Sequence, residues 1–338
     1  MAQQNDTNSM QTVSMVARVK KPKVRTVLGD IDMDNMGITL IHEHVFWDFE
    51  PLWQDRSIAF SKAELQAAAV FGARTIVDVA PHPYRYPQWY LDLAPQTDVN
   101  IIVSTGFYLE KRVSPRIHSM SENDMIVHFR HEIITGIRNS SLKAGVIKVA
   151  GAGPQLTPWE QKVMCAAAHV NRELGVPVCT HAIEGALAQF NTLLAAGADP
   201  QRIYLSHTEQ EIGWEGRSVE GQISYLLEIV RQGGSLYFST FGWEFLSQGE
   251  NLKHLILTLC EKGFQSHLLI SADANYKVDQ DGNTWWEEQK DHPELPQKNY
   301  SHTFTYTLPL LKSWGFSDMD IKGFLVDNPG AMFSTARF

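Results

Sequence analysis

Val176-Pro177-Val178-Cys179-Thr180-His181 and Ile203-Tyr204-Leu205-Ser206-His207 are two short apolar runs, each closed by a histidine. Between them, Glu184–Ala196 has a helical period and stops at Gly197. A run that is apolar on both alternating faces suits a strand covered on both sides, and a helix between two such strands suits a parallel pair. The same rhythm extends in both directions. The other runs are Gly37–Ile41, Arg74–Val79, Asn100–Ser104, Gly145–Val149, Ser235–Phe238 and His267–Ser271. Helical segments are expected at Ser61–Phe71, Glu122–Arg138, Pro158–Leu174, Val219–Gln232 and Leu252–Lys262. Ser61 and Thr157 read as N-caps, with Pro158 at a first helical position, and Gly72, Gly175, Gly233 and Gly263 read as stops. A last short helix is expected over Asp318–Val326, followed by Asn328-Pro329-Gly330.

Alternation alone admits an open doubly wound sheet or a closed barrel. Polar residues decide between them. Candidate ligands close the first, fourth, fifth, sixth and eighth runs, and only a closed barrel brings all those ends to one face. The fold expected is therefore α/β, a (β/α)₈ TIM barrel. Residues 24–338 form one domain in this reading, after a polar, disordered lead over residues 1–23. The chain has 338 residues, 43% of them hydrophobic, which suits one barrel with a large core.

Net charge is −9, and the one basic run, Lys20-Lys21-Pro22-Lys23, reads as a solvated tail, so no nucleic-acid partner is expected. No apolar run is long enough to span a bilayer, so no membrane partner is expected. Met1–Met10 is polar and unlike a secretory signal. Three scattered cysteines, Cys165, Cys179 and Cys260, suit a reducing compartment, and the expected location is the cytoplasm.

His42 and His44 stand two apart at a strand end and so can share a face, although two core or surface histidines read equally well there. Lys148 lies within Gly145-Val146-Ile147-Lys148-Val149-Ala150-Gly151, where a charged amine is costly to bury. It is either a strand-end lysine reaching for solvent or a neutral amine carrying CO₂ as a carbamate. His181, His207 and Asp273 each end a run. Together the six supply four imidazoles and two anionic groups, an inventory that fits two divalent cations sharing a bridging hydroxide, with Asp273 taking the proton. Zn²⁺ is the first expectation, with Mn²⁺, Co²⁺ or Fe²⁺ also accepted.

The chain resembles the phosphotriesterase-related proteins of the amidohydrolase superfamily. The resemblance runs from Val24 to Phe333. Thr26-Val27-Leu28-Gly29-Asp30, Gly37 through His44, Ser104-Thr105-Gly106-Phe107-Tyr108, Lys148, His181, His207, Asp273 and Asp327-Asn328-Pro329 carry it. It implies that His42, His44 and Asp273 hold the more buried metal and His181 and His207 the more exposed one. Carboxylated Lys148 would bridge them. It also implies hydrolysis of phosphotriesters, phosphonate esters, lactones or carboxylic esters, and a homodimer. Two positions depart from the pattern: Gln210 stands where an acidic residue is common, and Thr240 where lactonase-like members carry Arg and others His. Tyr108 matches a tyrosine of lactonase-like members.

An aromatic pocket wall is expected from Phe46 and Trp47, Phe107 and Tyr108, and Phe241 and Trp243. Trp285 and Trp286 are expected to face substrate from a long, polar lid over Ala274–Asn299. With Thr240 in place of an arginine, that wall favours a small, uncharged ester, organophosphorus or carboxylic. The alternatives are a quorum-quenching-type lactonase and a metal-bearing binding protein without turnover.

Overall fold

The structure, a computed structural model, describes residues 23–46, 53–82, 85–181, 184–213, 216–279, 281–286 and 292–334. Residues 1–22 of the polar lead and Trp47 lie outside the described residues.

A hairpin of β1 (Lys23–Thr26) and β2 (Gly29–Asp32) precedes the barrel strands. These are β3 (Ile38–Glu43), β4 (Ala73–Asp78), β5 (Asn100–Gly106), β6 (Val146–Ala150), β7 (Val178–His181), β8 (Ile203–Ser206), β9 (Ser235–Phe238) and β10 (Leu268–Ile270). They pair in chain order and in parallel. The ends meet past β10, where the Asp273 N–H donates to His42 O at 3.2 Å and the His44 N–H donates to Ala274 O at 3.0 Å. The eight runs read from the sequence are these eight strands, and the architecture is a (β/α)₈ barrel.

One inward side chain from each of the eight strands fills the interior: Ile41, Val77, Ile102, Val146, Cys179, Tyr204, Tyr237 and Leu269. Val24, Met36, Met332 and Phe333 close its floor. A larger apolar layer lies between the sheet and the helices. Fully burying one such aliphatic side chain stabilises by roughly 1.5–3 kcal/mol.

The outer ring is α1 (Gln54–Val70), α2 (Pro87–Leu93), α3 (Pro115–His118), α4 (Glu122–Ile134), α5 (Pro158–Leu174), α6 (Ala186–Ala195), α7 (Val219–Val230) and α8 (Gly249–Glu261). The chain ends with α9 (Leu308–Ser313), α10 (Asp318–Lys322) and α11 (Asn328–Phe333). α5 begins and ends where its Thr157 capping box and left-handed Gly175 say it should.

Ser61 does not cap a helix. It is buried inside α1, and its hydroxyl donates to Val45 O at 3.0 Å and bonds the Tyr276 hydroxyl at 2.6 Å. α4 stops short of Arg138 because Gly136 and Arg138 take positive φ, 154° and 55°. Asn328-Pro329-Gly330 does not end the helix, because α10 continues through a π-helical turn over Gly323–Asp327 straight into α11. The expected lid over Ala274–Asn299 contains a hairpin of β11 (Tyr276–Val278) and β12 (Thr284–Trp286). No described helix is long and apolar enough to cross a membrane.

Candidate metal centre

Local backbone devices aim the candidate ligands at the barrel mouth. The β3–β4 ladder is irregular between Leu40 and Glu43, so strict alternation does not set the direction of His42. His42 lies inside, stacked on Tyr237 at 4.5 Å between ring centroids and 7° between planes. Past Ser206 and Ala272 the chain twists through left-handed residues, His207 at φ 64° and Asp273 at φ 56°. Such backbone is strained for side chains of this kind, and it re-aims each one just past the end of its strand. At Gly106, φ is 112°, and a Cβ there would sit 1.9 Å from Lys148 O. Glycine therefore lets β5 close against the strand that carries Lys148.

His42 Nε2 and His44 Nε2 converge on Asp273 Oδ1 at 3.5 and 3.3 Å. One ligand atom from each lies within 4.8 Å of the others, so the three could hold a cation. His207 Nε2 stands 3.7 Å from Asp273 Oδ2. The His181 and His207 rings are 5.0 Å apart, and the Tyr108 hydroxyl is 3.3 Å from His181 Nε2. Lys148 Nζ lies 3.3 Å from His42 Nε2 and donates to Thr180 O at 3.1 Å. Among the described residues no carboxylate lies within 4.0 Å of that amine.

The electrostatics suit metal ligation. Burial holds His42 and His181 well below the usual histidine range and His207 down at about 4, so these imidazoles are neutral near pH 7. Burial also lowers the proton affinity of Lys148. It opposes ionisation of Asp273, but the facing histidines outweigh it and hold the carboxyl well below its ordinary value. His42 has a defined tautomer. Ser206 donates to Thr180 O at 2.5 Å, so its oxygen accepts from His42 Nδ1–H at 3.1 Å. The Nε2 lone pair is left facing Asp273, the arrangement a ligating histidine needs. His207 Nδ1 and Asp273 Oδ1 are buried without a hydrogen-bond partner, as atoms reserved for a ligand would be.

Several neighbours were missed in the sequence. Glu43 is buried between His42 and His44 and accepts from the Ser271 hydroxyl and the N–H groups of Ala272 and Ala274, which brackets Asp273. Burial pushes its carboxyl up to about 8. The cost argument applied to Lys148 applies equally to a Glu in an apolar strand. Glu209, beside Gln210, is buried and accepts from the N–H groups of Ser239 and Thr240 at 2.7 and 3.1 Å. Cys179 is more than a small hydrophobe, lying 3.4 Å from Lys148 Nζ.

The aromatic wall is only partly where it was expected. Phe46 packs edge-on against Trp89 and Tyr90, and Phe107 stacks on His128 and tilts against Phe129, in the layer behind the sheet. Phe241 belongs to the same apolar layer and tilts against Trp314. Trp286 packs with Phe60, Tyr276 and Tyr300, because hairpin alternation turns it inward. Those four are core aromatics. Trp285 is half-buried on the other face of the hairpin. Thr240 is buried and bonded to Ser247, and Trp243 is buried with its indole N–H donating to Pro296 O at 3.2 Å.

The chain matches the model of the phosphotriesterase family over residues 22–333. It is 29% identical to a phosphotriesterase homology protein of Mycobacterium tuberculosis over 92% of this chain and 98% of that one. It is 27% identical to an aryldialkylphosphatase of Saccharolobus solfataricus over 90% of this chain and 97% of that one. The solved phosphotriesterase of M. tuberculosis superposes with a TM-score of 0.81 at 26% identity, over 94% of this chain and all of that one. A hydrolase barrel with a histidine–aspartate cluster at its mouth, the chain belongs to the phosphotriesterase family.

Proposed function

We propose that the chain is a binuclear metal-dependent ester hydrolase. In this reading His42, His44 and Asp273 would hold one divalent cation, His181 and His207 would hold a second, and carboxylated Lys148 would supply a ligand shared by both. The observation that carries it is the convergence of His42 Nε2 and His44 Nε2 on Asp273 Oδ1, with His207 beside the same carboxylate. The state of Lys148 supports carboxylation. A buried amine of lowered proton affinity adds to CO₂ and releases one proton to give a carbamate, and no carboxylate among the described residues competes for it.

Metal ions held there supply Lewis acidity and a hydroxide nucleophile at neutral pH. The chain's own groups do the rest. Asp273, ionised and facing three imidazoles, accepts the proton given up by the attacking water. Tyr108 orients the substrate oxygen from its place over His181. The buried imidazoles stay neutral and leave that carboxylate as the local base. Phosphoryl and acyl esters both fit, because both develop charge on one oxygen. A lactonase is the second reading, favoured by the Tyr108–His181 contact. Zn²⁺ as the resident metal, a cytoplasmic location and a homodimer complete the proposal. The three thiols, which form no disulfide, support the location.

The test is initial rates on 4-nitrophenyl butyrate, a methylphosphonate ester and a set of lactones, with and without chelator. Chelator-sensitive ester turnover that collapses in Asp273→Asn supports the proposal. Lactones turning over fastest would favour the second reading. No turnover after metal and bicarbonate are supplied would leave a binding protein.

A further inference from the structure

Asp273 stands in the left-handed backbone region, at φ 56°, and Ser271, Ala272 and Ala274 around it are fully buried. A residue other than glycine keeps such backbone only where its neighbours hold it there. Glu43 supplies that hold. It lies on β3 between His42 and His44 and is itself fully buried. Its Oε1 accepts from the Ser271 hydroxyl and from the Ala272 N–H at 2.9 Å, and its Oε2 accepts from the Ala274 N–H. One carboxyl group therefore takes the N–H groups on both sides of Asp273. The Asp273 N–H donates to His42 O at 3.2 Å and the His44 N–H donates to Ala274 O at 3.0 Å, so residues 42–44 and 272–274 form one bonded unit. Within it Asp273 Oδ1 faces His42 Nε2 at 3.5 Å and His44 Nε2 at 3.3 Å. Three donors on one group suit a carboxyl and not an amide, because either orientation of a glutamine turns an NH₂ group, which accepts nothing, toward at least one of them. Glu160 makes the contrast. It is equally buried and accepts from the N–H groups of Ala152 and Thr157 at 3.0 Å, but neither of those residues flanks a candidate ligand.

We propose that Glu43 is the positioning residue of the candidate metal centre. By accepting from the N–H groups on either side of Asp273, it locks that residue in the left-handed backbone that aims its carboxylate at His42 and His44. Glu43 acts through Asp273 and not on the cation or the substrate. The proposal rests on the metal-hydrolase reading and adds to it the residue that sets the geometry of one ligand trio.

The experiment compares native protein with Glu43→Gln and Glu160→Gln. Hydrogen exchange of the metal-free proteins follows residues 271–275. Cobalt(II) affinity by chelator competition, with the visible absorption of the cobalt-loaded proteins, follows the ligand set. In Glu43→Gln residues 271–275 exchange about tenfold faster or more, cobalt binds about 10–100-fold more weakly and the absorption bands shift. Glu160→Gln, which also loses a hydrogen bond to a buried carboxyl, matches native protein in all three. If Glu43→Gln does not fold, Ser271→Ala takes its place: it removes one of the three donors that hold Glu43, and cobalt affinity falls about threefold or more. Native cobalt affinity and absorption in Glu43→Gln, or native affinity in Ser271→Ala where that variant stands in, overturn the proposal. Equal weakening in Glu160→Gln also overturns it, since any buried carboxyl would then do as much. If native protein binds no cobalt, the metal-hydrolase reading fails and exchange alone judges the clamp: faster exchange in Glu43→Gln keeps it, and native exchange overturns it.

Discussion

Replacing Ser206 by alanine tests how the site is tuned. The Ser206 hydroxyl accepts from His42 Nδ1–H at 3.1 Å and donates to Thr180 O at 2.5 Å. Without it, Thr180 O keeps the Lys148 amine at 3.1 Å, but His42 Nδ1 keeps only the weak acceptor Cys179 Sγ at 3.5 Å. A buried donor left this way costs about 1–3 kcal/mol in stability. The freed ring can also turn or change tautomer, and losing such a support weakens metal affinity by about 10–100-fold, or about 1.4–2.7 kcal/mol. The assay is metal affinity by chelator competition, paired with urea unfolding of the metal-free protein. Ser61→Ala is the control: it removes an equally buried hydroxyl bonded to Val45 O and the Tyr276 hydroxyl, and to no candidate ligand's side chain. It should cost similar stability and leave metal affinity intact. Metal affinity within twofold of native in Ser206→Ala would refute the reasoning.

Gly106→Ala places a Cβ 1.9 Å from Lys148 O at a φ of 112°, so β5 and β6 must separate; a loss of about 3 kcal/mol or more is expected in urea unfolding, together with weaker metal binding. Stability of the metal-free protein should peak near pH 6.5. His82, His207 and His302 sit near 4 in the folded protein against 6.5 free, so unfolding takes up protons between these values and stability falls on acidification, by at most about 1.4 kcal/mol per unit for each group. Glu43, raised to about 8, has the opposite sign: its contribution is full below 4.5 and is lost as pH rises to about 8. Urea midpoints at pH 5, 6.5 and 8 check both limbs, and a midpoint rising steadily from pH 5 to 8 would contradict them. Chelation should lower Tm. Each of the two metals at a hundredfold over its Kd stabilises by about 2.7 kcal/mol, and 338 residues unfold with about 0.7 kcal/mol/K of entropy, so a drop of about 8 °C is expected by calorimetry.

The barrel was legible because each strand is a short apolar run buried on both faces, and candidate ligands close runs as far apart as β3 and β10, whose ends only a closed sheet brings together. The six candidate ligands stood out as polar residues within or just past the ends of such runs. What the sequence hid depends on backbone conformation or distant contact. The left-handed turns at His207 and Asp273 and the irregular β3 ladder leave no mark on residue type, yet they decide where the ligands point. Trp286 looks like a lid residue until the β11–β12 hairpin forms and its alternation sends it into the core.

The central claim is most directly tested by the metal-to-protein ratio, measured by plasma mass spectrometry on protein purified with bicarbonate and a divalent metal supplied. The account predicts about two metals per chain in native protein, and fewer when Lys148→Met removes the amine that would carry the carbamate. A native ratio near zero, or two metals retained in Lys148→Met, would contradict the binuclear, lysine-joined centre.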